Sequence, residues 1–152
     1  MASRSQLKPI IGWREWVGFP DLDLPKIKAK IDTGARTSSL HAVDLEYHTR
    51  RGKTYVTFVV HPVQRTVRRS VEVTAQVIEF KEVRSSNGHV SRRPTIKTRL
   101  ELLGQQWETE VTLADRNEMG FRLLLGRQAI RDRFLVDVSR SYMGGRVPGK
   151  RR

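Results

Sequence analysis

The chain has 152 residues, no cysteine, and 29 basic against 16 acidic side chains, which gives a formal net charge of +13 at pH 7. This length suits one domain with a modest core, and the lack of cysteine excludes a disulfide-stabilised fold. We expect an N-terminal arm over 1–11, one domain over 12–140 and a flexible basic tail over 141–152. Without a signal peptide or a long apolar stretch, the sequence favours a cytoplasmic protein.

The predicted elements are strands almost throughout. Alternation of apolar residues with lysine predicts the first strand over 26–31, with Ile27, Ala29 and Ile31 on its buried face. Strands with β-branched and aromatic residues follow over the ranges 55–60, 71–77, 95–102 and 108–113. Asn87-Gly88 predicts a tight hairpin turn between two strands. The pattern therefore indicates an all-β closed barrel.

The end of the chain carries the one predicted helix. An apolar run over 123–125 is closed by Gly126 and Arg127, and residues 128–131 read as a short helix. Beyond it, residues 134–138 form an apolar segment that suits either an ordinary core strand or a strand at a subunit interface.

Asp32-Thr33-Gly34 directly follows the first predicted strand. Asp and Gly favour turns, so the tripeptide alone is a weak signal. It matches the active-site turn of aspartic proteases, in which two carboxylates share one proton so that one acts as acid and the other as base. The chain contains one such turn. A second carboxylate would therefore have to come from a second copy of the chain.

Three segments together carry a family resemblance: residues 29–42 around the Asp32 turn, Ser91-Arg92-Arg93-Pro94, and Leu125-Gly126-Arg127. Over about residues 10–139 the chain resembles the retropepsins, and more narrowly a bacterial retropepsin-like aspartic peptidase family often labelled as ATP-dependent zinc proteases. The resemblance implies an acid-protease barrel with one short helix after Gly126, one lobe per chain, and a two-fold homodimer.

The resemblance also implies roles for residues. Asp32, Thr33 and Gly34 would be catalytic, with Thr33 bonding across the dimer and Gly34 leaving room for substrate. A flap, the hairpin around Asn87, would close over the substrate. The predicted substrate-binding residues lie beside the turn and on the flap: Ala35, Arg36, Arg84, Asn87, Gly88, Arg92, Arg93 and Arg127.

The predicted flap is strongly basic. Between residues 81 and 99 stand six cations, Lys81, Arg84, Arg92, Arg93, Lys97 and Arg99, against the single acid Glu82. Such charges protect an exposed strand edge from aggregation, or they bind an acidic substrate. For the second case the resemblance points to α-linked oligoglutamate, because relatives are linked to ATP-grasp ligases that add glutamates to a small-subunit ribosomal protein.

The sequence thus predicts a cytoplasmic homodimeric aspartic peptidase that trims oligoglutamate tails from acidic peptides or from that ribosomal protein. The alternative is a basic β-barrel that binds RNA or ribosomes without catalysis, because a charge of +13 also suits phosphate backbones. In that case aromatic residues could stack on bases, or they form the core: Trp13, Trp16, Phe19, Tyr55 and Phe58.

Neither zinc nor ATP is expected, despite the family label. The sequence has no phosphate-binding Gly-x-x-x-x-Gly-Lys-Ser/Thr loop and no His-Glu-x-x-His motif, and its histidines stand far apart at His41, His48, His61 and His89. Ser38 and Ser39 beside His41 read as strand polarity rather than a nucleophile with its base. We therefore expect no metal and no cofactor.

Overall fold

The computed structural model of the chain describes residues 7–63, 68–84, 87–115 and 120–145. Its strands are β1 Ile10–Ile11, β2 Arg14–Phe19, β3 Leu24–Ile31, β4 Ser38–His41, β5 Val43–Arg50, β6 Lys53–Val60, β7 Val71–Gln76, β8 Glu79–Arg84, β9 Val90–Leu102, β10 Gln105–Ala114, β11 Leu123–Leu125 and β12 Leu135–Val136. A 3-10 helix spans Pro20–Leu22 and the α-helix α1 spans Arg127–Ile130. None of the described helices is long and apolar enough to cross a membrane.

Six strands close into a barrel in the order β10, β4, β11, β3, β2, β9 and back to β10. Strand β8 extends this sheet beyond β9, while β5, β6 and β7 form a separate three-stranded sheet and β12 pairs with β1. The all-β closed barrel with one short helix is therefore confirmed. Closure leaves the six barrel strands without free edges.

The barrel core follows the alternation that the sequence showed. Ile27 and Ala29 on β3 are fully buried, and Ile31 is nearly so. Phe19 and Phe58, which the sequence assigned either to the core or to base stacking, are also fully buried. Burying each such large side chain stabilises the fold by about 1.5–3 kcal/mol. The predicted core interpretation of these two rings is correct.

Several strand boundaries differ from the prediction. The strand predicted to begin at 95 begins at Val90, and β1, β2, β5 and β8 were not predicted. Strand β8 has only Phe80 and Val83 as apolar residues and lacks a clear apolar period, whereas β5 was missed although Val43, Leu45 and Tyr47 alternate with polar residues. Arg84 pairs with Val90, so residues 85–89 connect the strands and the tight turn predicted at Asn87-Gly88 is wrong. Residues 85 and 86 lie outside the described residues.

A buried carboxylate fastens the C-terminal segment to the barrel. Glu15 on β2 is fully buried and accepts hydrogen bonds from the backbone N–H groups of Gly12 (2.7 Å), Met143 (2.9 Å) and Gly144 (3.1 Å). Hydrogen bonds of this kind offset the desolvation of a buried charge. Tyr142 of the same segment stacks on Trp16 with ring centroids 6.0 Å apart. Residues 1–6 and 146–152 of the predicted arm and tail lie outside the described residues, and the domain boundaries stay a prediction.

Candidate functional site

The Asp32 turn begins where β3 ends. The Asp32 backbone N–H donates to the carbonyl oxygen of Leu125 on β11 (2.8 Å), which holds the turn against the barrel. Its side-chain Oδ1 accepts from the Gly34 N–H (3.2 Å), and its carbonyl accepts from the Ala35 N–H (3.1 Å). Asp32 is half-buried, whereas Thr33 and Gly34 are exposed. An aspartate that bonds the backbone two residues on is a common way to fix a turn.

Gly126 lets two parts of the chain approach closely beside this turn. A Cβ atom at Gly126 would lie 2.5 Å from the Thr37 carbonyl oxygen and 2.6 Å from its carbonyl carbon. The Gly126 N–H donates to Oγ of the buried Ser38 at 3.0 Å. Only glycine fits this approach without a backbone shift. Ser38 therefore has the structural role expected of it.

Arg127 ties the start of α1 to the turn. Its Nη1 donates to the carbonyl oxygens of Thr33 and Gly34, both at 3.3 Å. Its backbone N–H donates to the Ala35 carbonyl (2.9 Å), and the next N–H, of Gln128, donates to the Arg36 carbonyl. The guanidinium that the sequence assigned to substrate binding thus lies on the carbonyls of the turn. A substrate-binding role for Arg127 and for the exposed Arg36 stays a prediction.

Gly34 differs from Gly126 in how closely other atoms approach it. A Cβ atom added at Gly34 would meet only Asp32 Oδ1 within 4 Å, at 3.5 Å, which is an ordinary contact. One chain therefore supplies no steric reason for glycine at this position. Catalytic roles for Asp32, Thr33 and Gly34 stay predictions.

Strands β8 and β9 form the hairpin predicted as the flap. Arg84 Nη1 donates to the Gly88 carbonyl at 3.3 Å, and Asn87 Oδ1 accepts from the His89 N–H at 3.2 Å. Gly88 has φ of +84°, a conformation that glycine adopts without steric cost. These contacts close the end of the hairpin. They involve three of the predicted substrate-binding residues, Arg84, Asn87 and Gly88.

Acids on β8, on β10 and in the 3-10 helix pair with three of the cations in this region. Lys81 Nζ lies 3.5 Å from carboxylates of both Glu79 and Glu110. Lys97 lies 4.0 Å from a Glu108 oxygen. Arg99 donates to Asp21 with a shortest N···O distance of 2.6 Å. The net positive charge around residues 81–99 is therefore lower in the folded chain than a count along the sequence indicates.

Arg92 and Arg93 have different surroundings. The Arg92 guanidinium lies over the Phe80 ring, 4.2 Å from its centroid. Arg93 Nε donates to Ser91 Oγ at 3.1 Å. Arg92 is exposed and Arg93 half-buried. Both side chains line the same cleft, so these are the two predicted substrate-binding arginines that share a cavity.

That cleft has a volume of about 530 Å³ and lies between the start of β9, the start of β5 and the end of β10. Its walls are formed by Val43, Asp44, Leu45, Tyr47, His89, Ser91, Arg92, Arg93, Pro94, Leu113, Ala114 and Asp115. Burial raises the pKa of the Tyr47 hydroxyl, and the positive charge of Arg92 acts in the opposite direction. The cleft thus combines two arginines with an aromatic ring, and Asp44 and Asp115 make it mixed in charge.

The cleft and the Asp32 turn are separate features. Among the described residues, those lining the cleft do not include residues 32–36. A narrow crevice shares Arg93 and Ala114 with the cleft and reaches Ser39 on β4 and Leu124 on β11, the strands next to the turn. The predicted site residues therefore fall into a turn group and a flap group, and of these residues the crevice is lined by Arg93 alone.

The sequence did not indicate Arg122, which lies in that crevice. Arg122 is 6% exposed, and its Nη1 is 3.4 Å from His41 Nδ1. Burial lowers the pKa of His41, and the charges of Arg122 and His61 lower it further. An arginine directly before the apolar run 123–125 was the available signal. Within the described ranges, no group of three His, Asp or Glu side chains could hold a metal ion.

The predicted interface segment 134–138 is divided in the structure. Phe134 is buried and its ring lies 5.8 Å from that of Trp107, whereas Leu135 and Val138 are exposed. β12 pairs in parallel with β1 of the same chain, Leu135 with Ile10. This segment is therefore partly core and partly exposed, and the homodimer stays a prediction.

Comparison with known proteins identifies the family. The model of a family described as RimB-like, "Retropepsin-like aspartic endopeptidase RimB", matches residues 10–146. The chain belongs to this family. Among solved structures, protein Lpg0085 of Legionella pneumophila, whose function is unknown, superposes with a TM-score of 0.75 at 28% identity. The match covers 90% of this chain and 98% of that one, so the RimB-like barrel is similar along nearly its whole length.

Curated relatives carry a different name, "Probable alpha-L-glutamate ligase". The protein of Shewanella halifaxensis is 43% identical over 93% of this chain, and that of Desulfotalea psychrophila is 43% identical over 95%. The protein of Parasynechococcus marenigrum is 40% identical over 91%. The match covers 31%, 31% and 30% of these relatives, so this chain spans about a third of their length.

These names contradict the function predicted from the sequence. A peptidase cleaves an amide bond with water, whereas a ligase forms one, so the net reactions are opposite. The names of these relatives contradict the prediction of an aspartic peptidase with hydrolase activity that trims oligoglutamate. That prediction is therefore wrong. The alternative of a basic RNA- or ribosome-binding barrel without catalysis also did not anticipate glutamate ligation. The Asp32 turn was the basis of the peptidase prediction, and a turn motif does not by itself determine a reaction.

Proposed function

We propose that this chain is a glutamate-peptide-binding domain that acts in α-L-glutamate ligation. It would hold the acidic peptide to which glutamates are added. The ligase names of the curated relatives support the connection with ligation, and the match to a third of their length supports a domain role. The partner expected from the resemblance, an oligoglutamylated ribosomal protein, and the cytoplasmic location are parts of the same proposal.

The observation that carries the proposal is the pair of arginines in the β5–β9 cleft. Arg92 and Arg93 are adjacent in sequence, and both line a cavity of about 530 Å³. A guanidinium presents a planar fork of N–H donors that matches a carboxylate in a bidentate geometry. Two arginines that line one cavity therefore suit a ligand with repeated carboxylates.

The opposite charges in the cleft give the peptide an orientation. Asp44 and Asp115 also line the cavity and would repel carboxylates. Glutamate side chains should therefore face Arg92 and Arg93, and the apolar part of each side chain can pack on Tyr47. An extended peptide bound in this way would make its main contacts with the β9 wall.

Calorimetric titration with a short α-linked oligoglutamate tests this proposal. We expect binding that weakens as salt is added, because exposed charge pairs are screened within about 8 Å at physiological ionic strength. Replacing Arg92 and Arg93 together by Gln should weaken binding at least about tenfold, since a hydrogen bond to a charged group contributes about 1.5–3 kcal/mol. An oligomer of lysine should not bind.

A matched control removes the same charge elsewhere. Lys97→Gln with Arg99→Gln also lowers the net charge by two, but both side chains already pair with acids. This double variant should bind oligoglutamate within about twofold of the original chain, because its cations are not available. Equal weakening in the two double variants would reduce the effect to net charge and contradict the proposal.

The length of the peptide is followed by mass spectrometry in the same samples. The proposed role predicts that the peptide keeps its length when only this chain is present. A peptide shortened by the chain would contradict a role restricted to binding, and so would neutral peptides that bind as tightly as oligoglutamate.

A further inference from the structure

The hairpin of β5 and β6 ends in a strongly basic turn. Arg50 and Lys53 are the last pair of the strands, and Arg51 and Gly52 connect them. Arg51 and Gly52 have φ of +53° and +78°, and positive φ at both central residues is characteristic of a type I′ turn. Such a turn favours Asn-Gly or Asp-Gly, yet an arginine occupies its first central position.

Strand register places four side chains on one exposed face next to this turn. His48 lies opposite Tyr55, and Arg50 lies opposite Lys53. Because side chains alternate along a strand, all four share a face. The His48 and Tyr55 rings stack with centroids 5.7 Å apart at 14°, and the Arg50 guanidinium is 5.9 Å from the Tyr55 centroid. We call Arg51 together with these four side chains the hairpin platform.

The other face of the hairpin belongs to the fold. Tyr47 pairs with Val56 on that face, and Val56 and Phe58 are fully buried. Tyr47 also lines the β5–β9 cleft, so the platform and the cleft lie on opposite faces of the hairpin. From Asp44 to Arg50 the strand covers about 20 Å at its usual rise of about 3.3 Å per residue. The platform is thus a second, separate surface.

Cations on the platform have no acidic partners in the part of the chain that the structure describes. The ion pairs there involve Lys81, Lys97, Arg99 and Arg140, but none of Arg50, Arg51 or Lys53. Three like charges within four residues repel one another. These three side chains and Tyr55 line a shallow cavity of about 410 Å³. Folding alone gives no reason to gather these charges around an aromatic pair.

We propose that the hairpin platform binds single-stranded nucleic acid. Arg50, Arg51 and Lys53 would neutralise successive phosphates, and the His48–Tyr55 pair would stack on an unpaired base. Basic grooves with aromatic side chains are the usual means of binding single strands. An acidic peptide would use the cations, but it has no flat ring to stack on the aromatic pair. This inference is independent of the proposed role of the cleft.

Fluorescence anisotropy with a labelled single-stranded RNA and the full chain tests the proposal. The triple variant Arg50→Gln, Arg51→Asn, Lys53→Gln should lower the salt dependence of log K by about 2, because each neutralised phosphate of a single strand contributes about 0.7. Asn at position 51 suits the positive φ, so the variant should fold. Tyr55→Leu should weaken RNA binding at least about fivefold, with a smaller change in salt dependence.

The control triple variant is Lys8→Gln, Lys26→Gln, Arg131→Gln, which removes the same charge from exposed positions outside the platform. Retained RNA binding in this control, together with retained oligoglutamate binding in the platform variant, would support the proposal. RNA binding that falls equally in both triple variants would overturn it. The proposal would also be overturned if the chain failed to bind RNA, or if it preferred duplex over single-stranded RNA. It would be overturned as well if the platform variant lost oligoglutamate binding as strongly as RNA binding.

Discussion

The Asp32 turn and the β5–β6 turn both end a strand, but their surroundings differ. The Asp32 turn is anchored from outside by Leu125, Arg127 and the close approach of Gly126. The β5–β6 turn makes its described contacts within its own hairpin, and a Cβ added at its Gly52 would meet nothing within 4 Å. The comparison shows that glycine serves packing at one turn and backbone conformation at the other. Substitutions at the two turns should therefore have different consequences.

Gly126→Ala should have the largest effect, because it forces apart the backbone that anchors the Asp32 turn. The new methyl group would lie 2.5 Å from a backbone oxygen that cannot move independently. We expect the free energy of unfolding to fall by about 3 kcal/mol or more. Urea unfolding followed by tryptophan fluorescence measures this loss.

Gly34→Ala is the matched control on the turn itself. Its methyl group would make an ordinary contact with Asp32, so we expect a loss below about 1 kcal/mol. Equal losses in the two variants would show that the turn is not held by close packing at Gly126.

Arg127→Met should have a moderate effect. It removes two hydrogen bonds to the carbonyls of Thr33 and Gly34 but keeps the apolar stem. Because the side chain is exposed, we expect a loss of only about 1 kcal/mol. Hydrogen exchange of the Ala35 amide should accelerate in Arg127→Met. Arg131→Met changes an exposed arginine at the C-terminal end of α1 and should leave the exchange rate of that amide unchanged. Unaltered exchange in Arg127→Met would contradict the anchoring role.

His41, on the strand that follows the anchored turn, should make stability depend on pH. Burial lowers the pKa of His41 from its ordinary value of 6.5, so the unfolded state binds the proton more tightly. Stability is therefore complete above about pH 6.5 and declines as the pH falls below it. Urea midpoints between about pH 8 and pH 5 should decline less in His41→Gln than in the original chain. An unchanged slope in His41→Gln would assign the decline to other groups.

Arg51→Asn should have the smallest effect and the opposite sign. Asn tolerates positive φ better than Arg, so this change at the unanchored turn should raise stability by about 0.5 kcal/mol. Arg50→Asn, on the neighbouring strand position, removes the same charge without this benefit and serves as the control. A similar gain in both variants would attribute it to reduced charge repulsion instead.

Local patterns predicted the parts of the fold that depend on neighbours in sequence. The alternation over 26–31 gave the buried face of β3, and the run 123–125 with Gly126 gave β11 and the start of α1. Strand β8 was missed because it has only two apolar residues without a regular period, whereas β5 was missed despite its alternation over residues 43–47. The turn at Asn87-Gly88 was misjudged because strand pairing ends at Arg84 and Val90, which residue preferences do not determine.

The candidate site was harder to predict because its charges interact across strands. Counting residues 81–99 found one acid, but the structure pairs Arg99 with Asp21, 78 positions away. The cleft likewise joins β5, β9 and β10, which are distant in sequence. Neither the sequence motifs nor the geometry of the site determined the reaction. The Asp32 turn suggested hydrolysis, whereas the curated relatives are named for ligation.

The Glu15 carboxylate couples the integrity of β2 to the position of residues 143 and 144. Releasing that segment would leave a buried negative charge with a single described backbone donor, at Gly12. Detachment is therefore costly and should occur together with opening of the β2 region rather than as local fraying. A protease site introduced at residues 141–145 would thus report on the opening of the barrel, because cleavage would follow the same equilibrium as exchange of the β2 amides.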